Sequence, residues 1–295
     1  MKDRTIYALG FFDGVHLGHQ ALLNACKTLA EKADAKIGVV TFLGHPQACL
    51  TGVAPALLNT PADREHLLKH FGGEKIIALP FDKALMTMPW QDFFRLLVEK
   101  YHAAGLVCGG DFRFGYKGEG TAEKLQNACR QAGLSCAIVP EQQMDGERIS
   151  SSRIRILLED GEMEKANHLL GHPHILTGEV VAGRQLGRTI GIPTANLLLP
   201  EGLVQPKFGV YACLAHVGDK TYPAVTNIGT RPTVDGQGIT IEPWLLDFEG
   251  DLYGKEITLE FHAFLRPEKK FPDLESLRQE ILKNGEETRK IFRKS

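Results

Sequence analysis

Short apolar runs alternate with longer amphipathic stretches through the first half of the chain. Ile6-Tyr7-Ala8-Leu9-Gly10 predicts a strand, and a helical stretch follows from Gly18 to Lys32. Lys36 to Phe42 predicts the next strand and Asp63 to Phe71 a helix, after which Ile76 to Leu79 is again strand-like. A helix is expected across Trp90 to Tyr101, then a strand at Leu106 to Cys108. Ala122 to Ala132 reads as a helix closed by Gly133 just past its end, with Leu134 to Val139 as the following strand. Buried strands alternating with helices of about 10–15 residues predict an α/β domain, a parallel sheet with helices on its faces. Such sheets bind ligands beyond the C-terminal ends of their strands. There Gly10, Phe42 and Gly109 hand over to polar, glycine-bearing loops.

Beyond residue 170 the rhythm changes. Thr177–Val181, Tyr211–His216, Tyr222–Thr226, Ile239–Phe248 and Ile257–Phe264 are strand-like, separated by segments rich in Gly, Pro, Asn and Asp. Val217-Gly218-Asp219-Lys220 predicts a hairpin turn. Several short strands with turn signals predict a small antiparallel barrel. Leu274, Leu277, Ile281 and Leu282 recur at helical spacing behind Asp273, a capping residue, so a helix ends the chain. Ile154 to Leu170 reads as a helical connector, and the expected organisation is a first domain over 1–158, a connector over 159–170 and a second domain over 171–295.

Composition narrows the class without deciding the chemistry. A chain of 295 residues, 43% hydrophobic and 24% charged, is long enough for two ordinary globular domains. A net charge of −2 gives no basic field for nucleic acid or anionic membrane, and neither is expected as a partner. No apolar stretch approaches the roughly 18 residues of a membrane span. The first residues run straight into a strand, so no secretory leader is expected. The 6 cysteines contain no Cys-x-x-Cys pair; Cys26, Cys108 and Cys213 lie in apolar runs and read as small buried hydrophobes in a reducing compartment, the cytoplasm.

Candidate chemistry begins at Phe12-Asp13-Gly14-Val15-His16-Leu17-Gly18-His19, between the first strand and the first helix. His16 and His19, three residues apart, project to one side of a first helical turn, beside free backbone N–H groups and the positive end of the helix dipole. Gly14 and Gly18 let the main chain approach a phosphate closely, and two imidazoles can donate to phosphate oxygens as charge develops there. That chemistry suits nucleotidyl transfer. The alternatives are ordinary core histidines, or a zinc pair that lacks a third ligand at usual spacing.

Further polar clusters follow later strands: Thr41-Phe42-Leu43-Gly44-His45-Pro46, Gly110-Asp111-Phe112-Arg113-Phe114-Gly115 and Arg148-Ile149-Ser150-Ser151-Ser152-Arg153-Ile154-Arg155. The hydroxyls and guanidinium groups of the last can hold a triphosphate, although each cluster taken singly is also a capped helix start or a solvated turn. In this order, Phe-Asp-Gly-Val-His-Leu-Gly-His, Asp-Phe-Arg-Phe-Gly and Ile-Ser-Ser-Ser-x-Ile-Arg resemble the bacterial bifunctional riboflavin kinase/FMN adenylyltransferase family, also called FAD synthetase. The first motif is shared more widely among nucleotidyltransferases; the other two narrow it. The resemblance implies a Rossmann-like nucleotidyltransferase domain that transfers an adenylyl group from ATP to FMN, giving FAD and pyrophosphate with Mg2+. It places phosphate-binding histidines at His16 and His19, a flavin or nucleotide position at Asp111, and the Ser/Arg segment at Arg148, Ser151 and Arg155. The family usually has an acidic residue and a proline before His-Pro, where this chain has Leu43-Gly44.

The densest signal is Gly183-Arg184-Gln185-Leu186-Gly187-Arg188-Thr189-Ile190-Gly191-Ile192-Pro193-Thr194-Ala195-Asn196. It lacks the Gly-Lys-Ser/Thr of a Walker loop, yet its glycine backbone and the forks of Arg184 and Arg188 can cradle phosphates. Thr194 and Asn196 each offer an oxygen on one face of a strand, the sparse set that Mg2+ completes with water and phosphate. A glycine-rich turn before an edge strand is the competing reading. Glu242 is a carboxylate inside an apolar strand-like run and therefore a candidate base, whereas Asp247, Glu249 and Asp251 look like a solvated turn. A base there orients and deprotonates an alcohol attacking a γ-phosphate.

This stretch, with Lys207-Phe208-Gly209-Val210-Tyr211, Asn227 to Thr233 and Asp251-Leu252-Tyr253-Gly254, resembles the riboflavin kinase module of the same family. The resemblance implies a six-stranded barrel with a C-terminal helix, phosphorylation of the riboflavin 5′-hydroxyl by ATP, metal and nucleotide residues at Thr194 and Asn196, and a catalytic Glu242. It assigns Gly183, Gly187 and Arg188 to nucleotide binding, and Arg266, in Phe264-Leu265-Arg266-Pro267-Glu268, to the segment flanking the flavin. The expected ligands are ATP and ADP, riboflavin, FMN, FAD, pyrophosphate and Mg2+, with no obligatory protein partner. A chain with one working site, or a flavin-binding regulator without turnover, are the alternatives.

Overall fold

The computed structural model describes residues 4–183, 187, 190–233 and 236–293. The chain divides into two compact units, one formed by residues up to Leu57 with Arg64–Ser151, the other by Leu58–Asp63 with Ser152–Ser295.

The first unit is built on a parallel sheet of β1 (Thr5–Leu9), β2 (Lys36–Leu43), β3 (Lys75–Pro80), β4 (Ala103–Gly109) and β5 (Ser135–Val139), ordered β3-β2-β1-β4-β5. Every residue of β1 is buried, as expected for a central strand covered on both faces. Helix α1 (Leu17–Ala33) turns Leu22, Leu23, Cys26 and Ala30 inward, and α2 (Pro61–His70) and α3 (Ala122–Gln131) complete the larger connections. Gly133, at φ +67°, ends α3 as expected: its N–H donates to Arg130 O and that of Leu134 to Cys129 O. The predicted helix Trp90–Tyr101 is α-helical only over Trp90–Arg95; it widens to a π-turn over Leu96–Lys100, closed by Tyr101 N–H to Leu96 O. Two tiny hairpins, Arg113–Phe114 with Gly120–Thr121 and Gln143–Met144 with Glu147–Arg148, are too short to show a sequence period.

In the second unit the connector is two helices, α4 (Ser151–Asp160) and α5 (Met163–Leu170), parted at Gly161 with φ +79°. The barrel comprises β6 (His174–Glu179), β7 (Leu197–Leu198), β8 (Gly209–Val217), β9 (Lys220–Thr233), β10 (Gly236–Leu245) and β11 (Glu256–Arg266). All neighbours in the order β6-β11-β8-β9-β10-β7 are antiparallel. Val181 N–H donates to Asn196 O at 2.8 Å, drawing the two edges together, so the barrel is nearly closed. The hairpin at Gly218-Asp219 forms as predicted, with Val217 opposite Lys220. Strand β10 ends at Leu245 rather than Phe248, because the backbone turns through Asp247 at φ +60°. Helix α6 (Leu274–Arg293) starts behind Asp273, whose Oδ1 accepts from Ser276 N–H at 2.7 Å.

Candidate active sites

At the C-terminal end of β1 the chain enters an unusual loop. Phe12 (φ 61°), Gly14 (φ 79°) and Val15 (φ 41°) all lie in the left-handed region, which is costly for a β-branched valine and natural for glycine. Backbone strain of this kind persists where surrounding structure enforces it, as at functional sites. Gln20 Nε2 holds Val15 O at 2.9 Å, and Ser151 Oγ donates to Asp13 O at 2.9 Å. His16 is the extended residue before α1; His19 lies on its first turn, and their rings stack at 3.7 Å with an interplanar angle of 17°. Burial first, then His16 and Arg64, push the His19 imidazole well below its ordinary pKa. The ring is therefore neutral, and its buried Nδ1 lacks a hydrogen-bond partner among the described residues. Gly18 packs against His16, where a Cβ would come within 3.0 Å of the ring.

Arg64 supplies a cation to the same corner. It is 4% exposed, lies over the Phe11 ring at 4.4 Å and donates from Nη2 to Phe42 O at 2.9 Å. Burial lowers its pKa and the Asp13 carboxylate counters this, yet a guanidinium remains charged. Asp111 and Arg148 form an ion pair at 2.5 Å, and Glu141 lies 3.1 Å from the other terminal nitrogen of Arg148. Exposed pairs like these add little stability, so breaking one to engage another anion costs little. Arg155, in α4, has Nη1 3.4 Å from Ser152 Oγ.

Among the described residues, two cavities border the barrel. One, of about 250 Å³, is lined by Gly187, Thr194, Asn227, Glu242, Trp244 and Arg266 among others. The second, of about 80 Å³, is lined by Val180, Pro193, Thr194, Pro243, Leu245 and Tyr253 among others. The two-residue period of β10 explains the division: Glu242 and Trp244 face the first cavity, Pro243 and Leu245 the second. Thr194 borders both. A Cβ on Gly187 would fall 2.1 Å from Ile192 O and 3.4 Å from Thr194 Oγ1, so only glycine leaves this approach open. Arg266 Nε donates to Asn284 Oδ1 of α6 at 3.0 Å. Asn196 is 7% exposed, its amide against Gly183, where a Cβ would come within 2.2 Å of Nδ2. Arg184 and Arg188 lie outside the described residues.

Residues 1–153 match the family model for FAD synthetase, and residues 170–292 that for riboflavin kinase. The bifunctional riboflavin kinase/FMN adenylyltransferase of Listeria monocytogenes is 35% identical over 98% of this chain and 93% of its own length. That of Escherichia coli K12 is 37% identical over 99% of this chain and 94% of its own.

The chain belongs to the bifunctional riboflavin kinase/FMN adenylyltransferase family.

It is an enzyme with both activities, FAD synthetase in the N-terminal region and riboflavin kinase in the C-terminal one. A crystal structure of a Streptococcus pneumoniae protein named macrolide-efflux protein shares the fold, with a TM-score of 0.88, 33% identity, and coverage of 98% of this chain and 95% of that one. Among the described residues no helix is long and apolar enough to cross a membrane.

Against this family frame, the structure gathers His16, His19, Gly14, Gly18 and Ser151 around one loop and pairs Asp111 with Arg148. It brings Gly187, Thr194, Glu242 and Arg266 to one cavity wall. Arg64 escaped sequence reasoning because it sits in a charged helical stretch, Asp63-Arg64-Glu65, that reads as a solvated face. At Leu43-Gly44 the backbone turns through Gly44 at φ +84°, a value that proline, whose ring holds φ near −65°, does not adopt.

Proposed function

We propose that riboflavin is phosphorylated at the larger barrel cavity and that FMN is adenylylated at the Asp13–His19 loop, in domains spanning 1–158 and 171–295 joined by a connector over 159–170. The observation that carries the kinase assignment is Thr194, shared by both cavities, with Glu242 on the wall of the larger. ATP entering from the smaller cavity presents its γ-phosphate at Thr194, and the riboflavin 5′-hydroxyl approaches from the side of Glu242. Glu242 accepts the hydroxyl proton as the oxygen attacks phosphorus, and ADP leaves. Gly183 and Gly187 bring backbone close to the nucleotide, with Arg188 as a further phosphate ligand by family resemblance; Arg266, anchored to Asn284, flanks the flavin.

Mg2+ fits this donor set. The groups beside the glycine cradle are the neutral hydroxyl of Thr194 and amide of Asn196, which offer the hard oxygen donors that Mg2+ completes with water and phosphate. Thr194 Oγ1 and Asn196 Oδ1 would hold it, and when bound it supplies charge neutralisation to the phosphates.

In the first unit, His19 and His16 donate hydrogen bonds to the ATP phosphates, and Arg64 provides a buried positive charge behind them. Ser151 fixes the loop through Asp13 O, while Arg148 engages the triphosphate and Asp111 the flavin or nucleotide. FMN brings its own phosphate as nucleophile; attack on the α-phosphorus forms the new P–O–P bond of FAD and releases pyrophosphate. We place the protein in the cytoplasm, a reading supported by the 6 unpaired thiols, with small molecules and no obligatory protein partner as its ligands. Purified protein given riboflavin, ATP and Mg2+ forms FMN and then FAD; FMN alone, or FAD only from supplied FMN, would reduce the reading to one working site, and no product would reject it.

A further inference from the structure

Trp244 stands beside Glu242 on the same cavity wall, two residues along β10. That step spans about 7 Å along a strand, which matches the reach of an extended ribityl chain. A substrate presenting its 5′-hydroxyl to Glu242 and extended along β10 toward Trp244 brings its ring system to that indole. Phe271 and the apolar side chains of Leu277 and Ile281 line the same cavity and offer an aromatic ring apolar neighbours. The indole has a defined seat. Gly285 of α6 is buried beneath it, and a Cβ there would come within 2.8 Å of Trp244 Cζ3 and 3.2 Å of Cη2. Glycine is unfavourable inside a helix relative to alanine, so its presence at this one contact has a packing reason: a side chain there would displace the indole from its present position.

We propose that Trp244 is a flavin-specificity residue of the kinase site, the aromatic face on which the isoalloxazine ring stacks, with Gly285 setting the depth of that face. The inference rests on the assignment of the larger cavity to riboflavin. Ring stacking here is worth about a 2- to 12-fold change in affinity.

The test uses full-length protein carrying Trp90→Phe, which leaves Trp244 as the single tryptophan of a chain that has 2. Riboflavin fluorescence, excited in the visible where tryptophan does not absorb, is quenched on saturation because a stacked indole donates an electron to the excited flavin. Trp244→Leu abolishes that quenching and raises KM for riboflavin about 2- to 12-fold without a matching change in KM for ATP. Trp244→Phe separates contact from structure: the phenyl ring keeps KM for riboflavin within about threefold of the parent, yet quenching is lost, since benzene is a poor electron donor. Gly285→Ala raises KM for riboflavin by displacing the indole from its seat. Quenching that persists in Trp244→Phe, or an unchanged riboflavin KM in Trp244→Leu, overturns the proposal. Glu242→Gln is run alongside: FMN formation that survives it removes the cavity assignment itself, whereas its loss with normal Trp244 variants removes only the stacking.

Discussion

Glu242→Gln is the sharpest probe of the kinase site. The substitution keeps shape and volume. Glu242 sits opposite Asn227 across the β9–β10 ladder, and its Oε1 lies 3.4 Å from Thr240 Oγ1, a long contact that a glutamine oxygen reproduces. Loss of folding stability is therefore expected to stay within about 0.5 kcal/mol, the range of changes that break no buried network. The chemical consequence is of another size. An amide cannot take the proton of the attacking hydroxyl, and general-base catalysis contributes about 10²- to 10⁴-fold, or about 3–5 kcal/mol of barrier. The assay separates riboflavin, FMN and FAD after incubation with ATP and Mg2+, and follows FAD formation from supplied FMN in the same preparation. FMN formation falls by at least about 100-fold in kcat, with KM for riboflavin little changed, while FAD formation from FMN continues. If Glu242 only supported the barrel, the unfolding midpoint would drop while kcat fell less than about tenfold. That outcome, or equal loss of both activities, would refute the assignment.

Other consequences follow from the same geometry. Replacing His16 and His19 together by Ala lowers FAD formation from FMN by about 10²-fold or more while riboflavin phosphorylation continues; parallel loss of both would mean that the two activities share a site. Arg64→Met leaves Phe42 O without its charged donor and costs about 1–3 kcal/mol in denaturant unfolding. The same variant raises the His19 pKa, because one of the cations depressing it is gone; an unmoved imidazole titration by NMR would show that Arg64 does not act on the histidine pair. His174 is buried beside Phe261, and burial pushes its pKa from 6.5 down to about 3. A histidine whose folded pKa is depressed binds more protons when unfolded, so stability falls as pH drops below 6.5 and continues to fall until about 3. That linkage contributes about 2 kcal/mol between pH 7 and pH 5. His174→Phe is expected to flatten this part of the dependence in denaturant titrations at the two pH values, and an unchanged slope would assign it to other groups.

Legibility along this chain follows how far a local pattern extends before tertiary contacts take over. In β1 and β2 the apolar run is nearly continuous, so the parallel sheet and the loops at its C-terminal end were readable from composition and period alone. The ten residues of β10 were long enough for alternation to hold, and its parity places Glu242 and Trp244 on one side and Pro243 on the other. The same reasoning applied to Thr194 and Asn196 expects both on one face. The regular strand there is only Leu197–Leu198, and the preceding backbone is spent on the barrel seam: Ala195 N–H goes to Pro243 O, and Asn196 O accepts from Val181. Thr194 Oγ1 lies beside Gly187 and the Asn196 amide beside Gly183, so both face the glycine-rich segment although neither belongs to a regular strand. Arg64 marks the opposite limit. Nothing in its neighbourhood distinguishes it from a solvated helix residue, because its burial is created by Phe11 and Phe42, which arrive from two other segments of the chain. A buried cation that acts through such contacts becomes recognisable only when the ends of β1 and β2 have been brought together, which is also the condition for the histidine pair to meet a phosphate.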